Sequence, residues 1–362
     1  MNSAEAPTTK PEVAIVGAGV AGMQTAITLD TLGIASVILE KEQRLGGRAN
    51  NYSKLFPFMT SGRQLVGDMK DLIGHSQLIQ TRLGIPQLHI EGNAPDFRIV
   101  LSPDNDALRV SAIVLAAGFE PFDASLQEQY GYGVYRNVIS GTDLERLLDP
   151  EGPTGGELRR PSDGRIPGSI ALVFCVGSRN EQLGHNYCSR VCCSYSTKQA
   201  LEIKEKYPES RVTCFYIDIR TYGRGFEEMY RQAQEAGVRY IRGRVGECGL
   251  LPNGDITVRV EDTFLGKPLQ AVFDLVSLSH GMTPCKDALE LATVLGLQRA
   301  TDGFFESRDR ERYAYDSTRD GVFLAGAVSG LKPIADCISD GTGAAARVAG
   351  YLAAAKRQRF SE

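Results

Sequence analysis

Four of the eight cysteines lie within nineteen consecutive residues, spaced C-x12-C-x3-C-C as Cys175, Cys188, Cys192 and Cys193. Four thiols at such spacing can ligate an iron–sulfur cluster, which takes thiolates from a loop and a rigid element together. They can also bind zinc, although structural zinc sites usually present two short C-x2-4-C knuckles. A redox disulfide would normally show C-x2-C or C-x4-C. Four separate buried thiols are the plainest reading, since free cysteine packs well in cores. Their clustering favours the iron–sulfur reading over the other three. His185 lies inside the same loop and is a candidate to replace one cysteine as ligand, or simply a polar loop residue.

The neighbouring segments say how these thiols are positioned. Ser169-Ile-Ala-Leu-Val-Phe174 reads as a buried strand, and a helical pattern with a Lys/Glu-rich face runs from about Cys192 to Lys206. The cysteines therefore occupy a strand-to-helix turn. In a dinucleotide-binding unit that turn carries G-x-G-x-x-G and holds a pyrophosphate. A helix N-terminus also favours thiolate, because its free N–H groups stabilise negative charge. The other cysteines, Cys214, Cys248, Cys285 and Cys337, are scattered and read as packing residues.

A complete glycine fingerprint stands at the other end of the chain. Val13-Ala-Ile-Val16 is a short apolar strand, Gly17-Ala-Gly19-Val-Ala-Gly22 follows at once, and a helix is expected from about Ala21 to Leu32. Gly17 makes the tight turn, Gly19 lets the backbone approach a pyrophosphate, and Gly22 lets helix and strand pack closely. A second strand, Ala35 to Leu39, ends in Glu40, the acid expected to accept from an adenosine ribose. Strand, glycines, helix and acid in this order point to FAD. Gly46, Gly47 and Arg48 come next, where two-dinucleotide flavoproteins line the flavin side of the pyrophosphate. Ile113 to Gly118 reads as the strand that closes the first part of such a domain, with Ala117 where threonine is usual. Near the end, Gly321 to Ala327 is a strand whose Gly326-Ala327 replaces the common Gly-Asp ribityl contact. The loop to Ile334 then opens a helix from about Ala335 to Leu352, whose N-terminus would face the flavin pyrimidine.

Between these landmarks, a helix is expected from about Gln64 to Ile73, and a hairpin from Phe97 to Val110 around Pro-Asp-Asn-Asp. Residues 11–150 and 286–355 are expected to form the FAD domain, and 165–285 a second Rossmann-like domain. The Gly/Pro-rich stretch from Glu151 to Pro167 is the expected linker. In the second domain, helix Phe226 to Ala236 and strand Val238 to Ile241 follow Asp218, which looks like a remnant of the fold's ribose acid. Segments 255–260, 269–273 and 275–278 read as a meander before His280 to Pro284 returns the chain. Residues 1–10 lack an apolar core and read as a disordered tail rather than a signal peptide, and Lys356 to Arg359 as a solvated end. A net charge of −4 gives no reason to expect nucleic acid, and no apolar run reaches membrane-spanning length. A cytoplasmic location is expected, where clustered cysteines more often bind metal or do redox work than form structural disulfides.

Together these residues resemble the A subunit of heterodisulfide reductase. The cysteine stretch continued by Ser194-Tyr-Ser-Thr-Lys198-Gln-Ala200 is close to that family's signature, and the flavin motifs agree in order and spacing over nearly the whole chain. The resemblance implies a thioredoxin-reductase-like α/β fold with two dinucleotide-binding-type domains, the FAD domain split by the other. It maps a [4Fe–4S] cluster onto Cys175, Cys188, Cys192 and Cys193. The ferredoxin-type cysteine runs of the longer methanogen forms are missing. This is similar to the short form in heterodisulfide-reductase-like complexes of sulfur oxidisers, implying a homodimer that relays electrons between partner subunits. The resemblance names no catalytic residue. The alternative is an NAD(P)H-dependent disulfide reductase of the thioredoxin-reductase type, against which the lack of a second glycine fingerprint speaks. A non-catalytic zinc scaffold is a third possibility, against which the intact FAD fingerprint speaks.

Overall fold

The structure, a computed structural model, describes residues 9–103 and 106–359. The tail expected over 1–10 lies up to residue 8 outside the described residues, as do Asp104 and Asn105 of the expected hairpin turn. The chain forms two compact units, one from residues up to 50, 63–120 and 283 onward, the other from 51–62 and 121–282.

In the first unit, Val13–Val16 lies between Ser36–Leu39 and Ala112–Leu115 in a seven-stranded sheet and pairs in parallel with both. All three strands are buried along their whole length, as strands covered on both faces must be. The antiparallel meander Leu88–Asn93, Asp96–Leu101 and Asp106–Val110 supplies Ile90, Phe97, Ile99 and Leu101 to a core shared with Val16, Leu39, Leu115 and Leu324. Helix Val20–Thr31 packs against helix Ile334–Arg359. The middle helix covers Gly62–His75, somewhat longer than expected. The last helix runs past the expected end, through the segment read as a solvated tail. Lys356 there is not free: its Nζ lies 2.7 Å from Glu12 Oε2.

The second unit holds a five-stranded parallel sheet in the order Val138–Ser140, Leu275–His280, Ser169–Val176, Arg211–Tyr216, Arg239–Arg242. A separate antiparallel sheet contains Val245–Leu250, Ile256–Asp262 and Lys267–Phe273. This corrects the expected meander: the segment at 275 is an inner strand of the parallel sheet, and Val245–Leu250 takes its place. Burial explains the difference. Ile256–Asp262 alternates buried and outward residues, whereas Leu275–Ser279 is buried throughout.

The division of the chain also differs from the expected boundaries. Residues 121–150 lie in the second unit, because Val138–Ser140 pairs with Leu275–His280 and helix Gly141–Leu148 packs on helix Cys192–Lys206. The Gly/Pro-rich stretch expected as a linker lies inside this unit. Leu158 is fully buried there, and buried Arg160 reaches Asp255 at 2.9 Å and Asp274 at 3.2 Å. Its glycines and prolines shape turns rather than mark a boundary.

The Lys/Glu-rich face of helix Cys192–Lys206 is partly interior. Lys198, 1 % exposed, places Nζ 2.5 Å from Glu145 Oε2 and 3.1 Å from Glu202 Oε1. Gln199 Nε2 also donates to Glu145, at 2.9 Å. A buried cation needs such partners. The network ties the cysteine helix to helix Gly141–Leu148 and to the Lys54 carbonyl, which accepts from Lys198 at 3.3 Å.

Candidate functional site

In the first unit, the glycine turn leads straight from Val13–Val16 into helix Val20–Thr31, with Gly19 as N-cap. Gly17 has φ +109°, and a Cβ there would lie 2.4 Å from Ala116 O, so only glycine fits. A Cβ on Gly22 would stand 2.0 Å from Gly17 O, which is the close packing expected of the third glycine. Gly19 differs: a Cβ there meets nothing within 4 Å. It would project into open space beside a helix N-terminus that has no side-chain cap. That space and those N–H groups fit a pyrophosphate.

Glu40 is 8 % exposed. Its Oε2 accepts from Ala18 N at 2.6 Å and its Oε1 from Glu42 N at 2.9 Å. The acid expected to meet a ribose therefore also fastens the glycine turn. Gly46 N donates to Ala18 O at 2.8 Å, and a Cβ on Gly47 would lie 3.0 Å from Gly19 Cα. Arg48 Nε donates to Phe119 O at 2.8 Å, next to Gly118, and Arg48 pairs with Glu120. A Cβ on Gly326 would lie 2.6 Å from Ala21 Cβ, so the later strand end reaches the same helix N-terminus. Ala327 is buried, and Ile334 starts the last helix. Glu40, Gly46, Gly47 and Gly326 thus gather around the turn of Gly17, Gly19 and Gly22. Asp340 was not foreseen: its Oδ2 accepts from Gly326 N at 3.2 Å and pairs with Lys332. A carboxylate from the following helix stands near the place where a Gly-Asp pair would put one.

In the second unit, the strand Ser169–Val176 breaks register with its neighbour between Val173 and Val176. Cys175 sits in that irregularity at φ +63°. Four non-glycine residues among those described have positive φ, and Cys175, Arg179 and Arg190 are three of them. Each such conformation costs about 1–3 kcal/mol, and such strain gathers at functional sites. The loop is held by Arg179 N donating to Tyr187 O and Asn180 N to His185 O, both at 2.8 Å. Helix Cys192–Lys206 begins with the cysteine pair itself.

Cys175, Cys192 and Cys193 are buried, and Cys192 lies within hydrogen-bonding reach of each of the other two. The Cys192 thiol, hydrogen-bonded to both neighbours and buried, is pushed well up. The hydrogen bond from Cys192, helped by Arg179 and Arg244, brings Cys175 down to about 7. Cys193 is lowered first by Cys192, and also by the Arg220 N–H. A lowered thiol pKa favours thiolate, the form of cysteine that binds metal. Cys188 is less buried and accepts from Arg190 N at 3.4 Å. Among the described residues, no three His, Cys, Asp or Glu side chains converge tightly enough for one metal ion. Cysteine sulfur from a loop and a helix start is the donor type an iron–sulfur cluster takes, so the residue types fit that group.

His185 faces its own loop. Its Nδ1 lies 2.9 Å from Gly177 O, which makes it the donor, and its ring meets Phe122 edge-on. Burial pushes Cys248 and Cys337 up to about 12 and Cys285 up to about 11. Cys214 rises by the same cause. All four are buried, as expected of packing thiols. Asp218 is more than a remnant: it pairs with Arg179 at 2.8 Å and Arg242 at 3.4 Å, and its carbonyl lies 3.6 Å from Cys193 Sγ. Its place just beyond the strand Arg211–Tyr216 was visible in the sequence, but its arginine partners were not.

A family model described as pyridine nucleotide-disulphide oxidoreductase matches residues 11–161. The chain is 44 % identical over 248 residues to the A subunit of H(2):CoB-CoM heterodisulfide,ferredoxin reductase of Methanothermobacter marburgensis, covering 68 % of this chain and 38 % of that one. It is 46 % identical over 247 residues to an iron-sulfur A subunit of CoB--CoM heterodisulfide reductase of Methanopyrus kandleri, with the same coverage of 68 % and 38 %. The A subunit of the Methanothermobacter thermautotrophicus enzyme is 31 % identical over 414 residues, covering 92 % of this chain and 63 % of that one. The chain therefore spans less than two thirds of the length of these curated relatives. Among solved structures, thioredoxin reductase of Lactococcus lactis aligns with TM-score 0.64 at 18 % identity, covering 95 % of this chain and 99 % of that one. Thioredoxin reductase of T. acidophilum aligns with TM-score 0.62 at 18 % identity, covering 95 % and 98 %. Identity that low speaks for the fold alone. On sequence and fold together, the chain belongs to the A-subunit family of heterodisulfide reductases and has a thioredoxin-reductase-like α/β flavoprotein fold.

Proposed function

We propose that the chain is an electron-transferring oxidoreductase subunit that holds FAD in its first unit and a [4Fe–4S] cluster in its second. The observation that carries this reading is the meeting of Cys175, Cys192 and Cys193 at the strand-to-helix turn where a second dinucleotide fingerprint would stand. When bound, the two groups supply acceptance and one-electron passage of reducing equivalents. The residues do the rest. Gly17, Gly19 and Gly22 shape the pyrophosphate cradle, and Glu40 holds it and faces the ribose. Gly46, Gly47, Arg48, Gly118, Gly326, Ala327 and Ile334 surround the remainder of the flavin. Cys175, Cys188, Cys192 and Cys193 hold the cluster, and burial keeps water from the three inner sulfurs.

The finer reading rests on the family resemblance. It is a homodimeric component of a cytoplasmic heterodisulfide-reductase-like complex acting on protein-carried sulfur, in contact with other subunits of that complex. No described helix is long and apolar enough to cross a membrane. The nicotinamide-dependent alternative needs a second pyrophosphate site at the turn after Ser169–Val176, where thiolates would repel phosphate. The test is anaerobic purification with flavin and iron assays, followed by stopped-flow bleaching of the flavin band. FAD, about four irons per chain and slow bleaching by NADH and NADPH are expected, with rapid bleaching by dithionite. Full-occupancy zinc without iron would overturn the cluster. Fast, saturable bleaching by either nicotinamide would overturn the relay.

A further inference from the structure

Arg179 is fixed on every side but one. Its backbone is left-handed at φ +53°, its N–H donates to Tyr187 O at 2.8 Å, and its carbonyl accepts from Arg244 Nη1 at 2.8 Å. Its Nη2 meets Asp218 Oδ2 at 2.8 Å. Its Nη1 is buried and has no hydrogen-bond partner. A buried guanidinium nitrogen left unpaired is costly and asks for an acceptor. The charge lies within electrostatic reach of Cys175 and Cys188.

We propose that Arg179 is a positioning residue for the sulfur-held group: its guanidinium, held by Asp218, sets a fixed positive charge beside Cys175 and Cys188 and raises the reduction potential of a cluster bound there. The inference rests on the cluster reading above and adds to it a residue outside the ligand set. A fixed positive charge near a group that gains an electron favours the reduced form, and burial amplifies the effect. Asp218 both orients this charge and partly cancels it. Removing the arginine charge and removing the aspartate charge must therefore move the potential in opposite directions. A merely structural role predicts no such reversal.

The experiment is a potentiometric titration of the anaerobically reconstituted full chain, followed by electron paramagnetic resonance of the reduced cluster, on wild type, Arg179→Gln, Arg179→Lys and Asp218→Asn. All the replacements are non-glycine, so the left-handed backbone cost stays the same. Arg179→Gln is expected to be about tenfold harder to reduce, which for one electron is about 59 mV. Arg179→Lys should fall between it and wild type, and Asp218→Asn should shift to more positive potential. If Arg179→Gln loses iron, Arg179→Lys and Asp218→Asn carry the test. A wild-type cluster signal whose potential is unmoved in the iron-retaining variants, or moved in one direction by all of them, overturns the role of Arg179 and leaves the cluster standing. A wild-type protein with no cluster signal overturns the cluster reading itself and this inference with it.

Discussion

Replacing Gly19 with valine separates cofactor binding from folding. Gly19 has φ −68° and ψ 178°, a conformation that any residue adopts. A Cβ there meets no protein atom within 4 Å. The cost to the cofactor-free fold is then only that of a poorer N-cap, about 1 kcal/mol. In the complex, the same side chain fills the space through which a pyrophosphate reaches the first N–H groups of helix Val20–Thr31. Losing two charge-assisted hydrogen bonds at about 1.5–3 kcal/mol each removes about 3–6 kcal/mol, or about 10²–10⁴-fold in Kd. The assay has two arms: fluorescence titration of apoprotein with FAD, and thermal unfolding of the same apoprotein. The expected result is weak FAD binding with a nearly unchanged melting temperature. Unchanged FAD affinity would refute the cradle. A collapse of the apoprotein would refute the claim that Gly19 faces open space.

Glu40→Ala is expected to fail in both arms, because it also frees the glycine turn from the Ala18 N–H. The loss in apoprotein stability should be about 1–3 kcal/mol, read by urea unfolding. Cys192→Ser is expected to lose iron and keep full flavin, since the ligand and the glycine turn belong to different units; iron and flavin assays on one preparation check this. Glu202 is held above the ordinary carboxylate range, first by burial and then by Glu145 against the pull of Lys198. A raised folded value means stability that is present below the unfolded pKa of about 4.3 and lost as pH rises through the folded one. Glu202→Gln should therefore gain on wild type as pH rises from about 4.3 toward neutrality, and urea unfolding across that range measures the difference.

Much of the flavin-type unit was legible because its signals are local. A strand, three glycines, a helix and an acid all lie between Val13 and Glu40. Each acts on backbone a few residues away, so spacing alone reports the geometry. The cysteine turn was legible for the same reason, since Ser169–Val176 and Cys192–Lys206 flank it directly. What the sequence could not decide depends on partners far along the chain. The strand Val138–Ser140 joins the second unit only because Leu275–His280 lies beside it, and no local pattern states that pairing. Leu275–His280 read as part of a meander because a short apolar run has no period to reveal that both its faces are covered. Lys198 looked like part of a polar face until Glu145, fifty-three residues earlier, closed over it. Arg179 stood in the cysteine stretch without a role of its own: tertiary structure alone brings Asp218 and Arg244 to it, because electrostatic partners are chosen by distance in space and not along the chain.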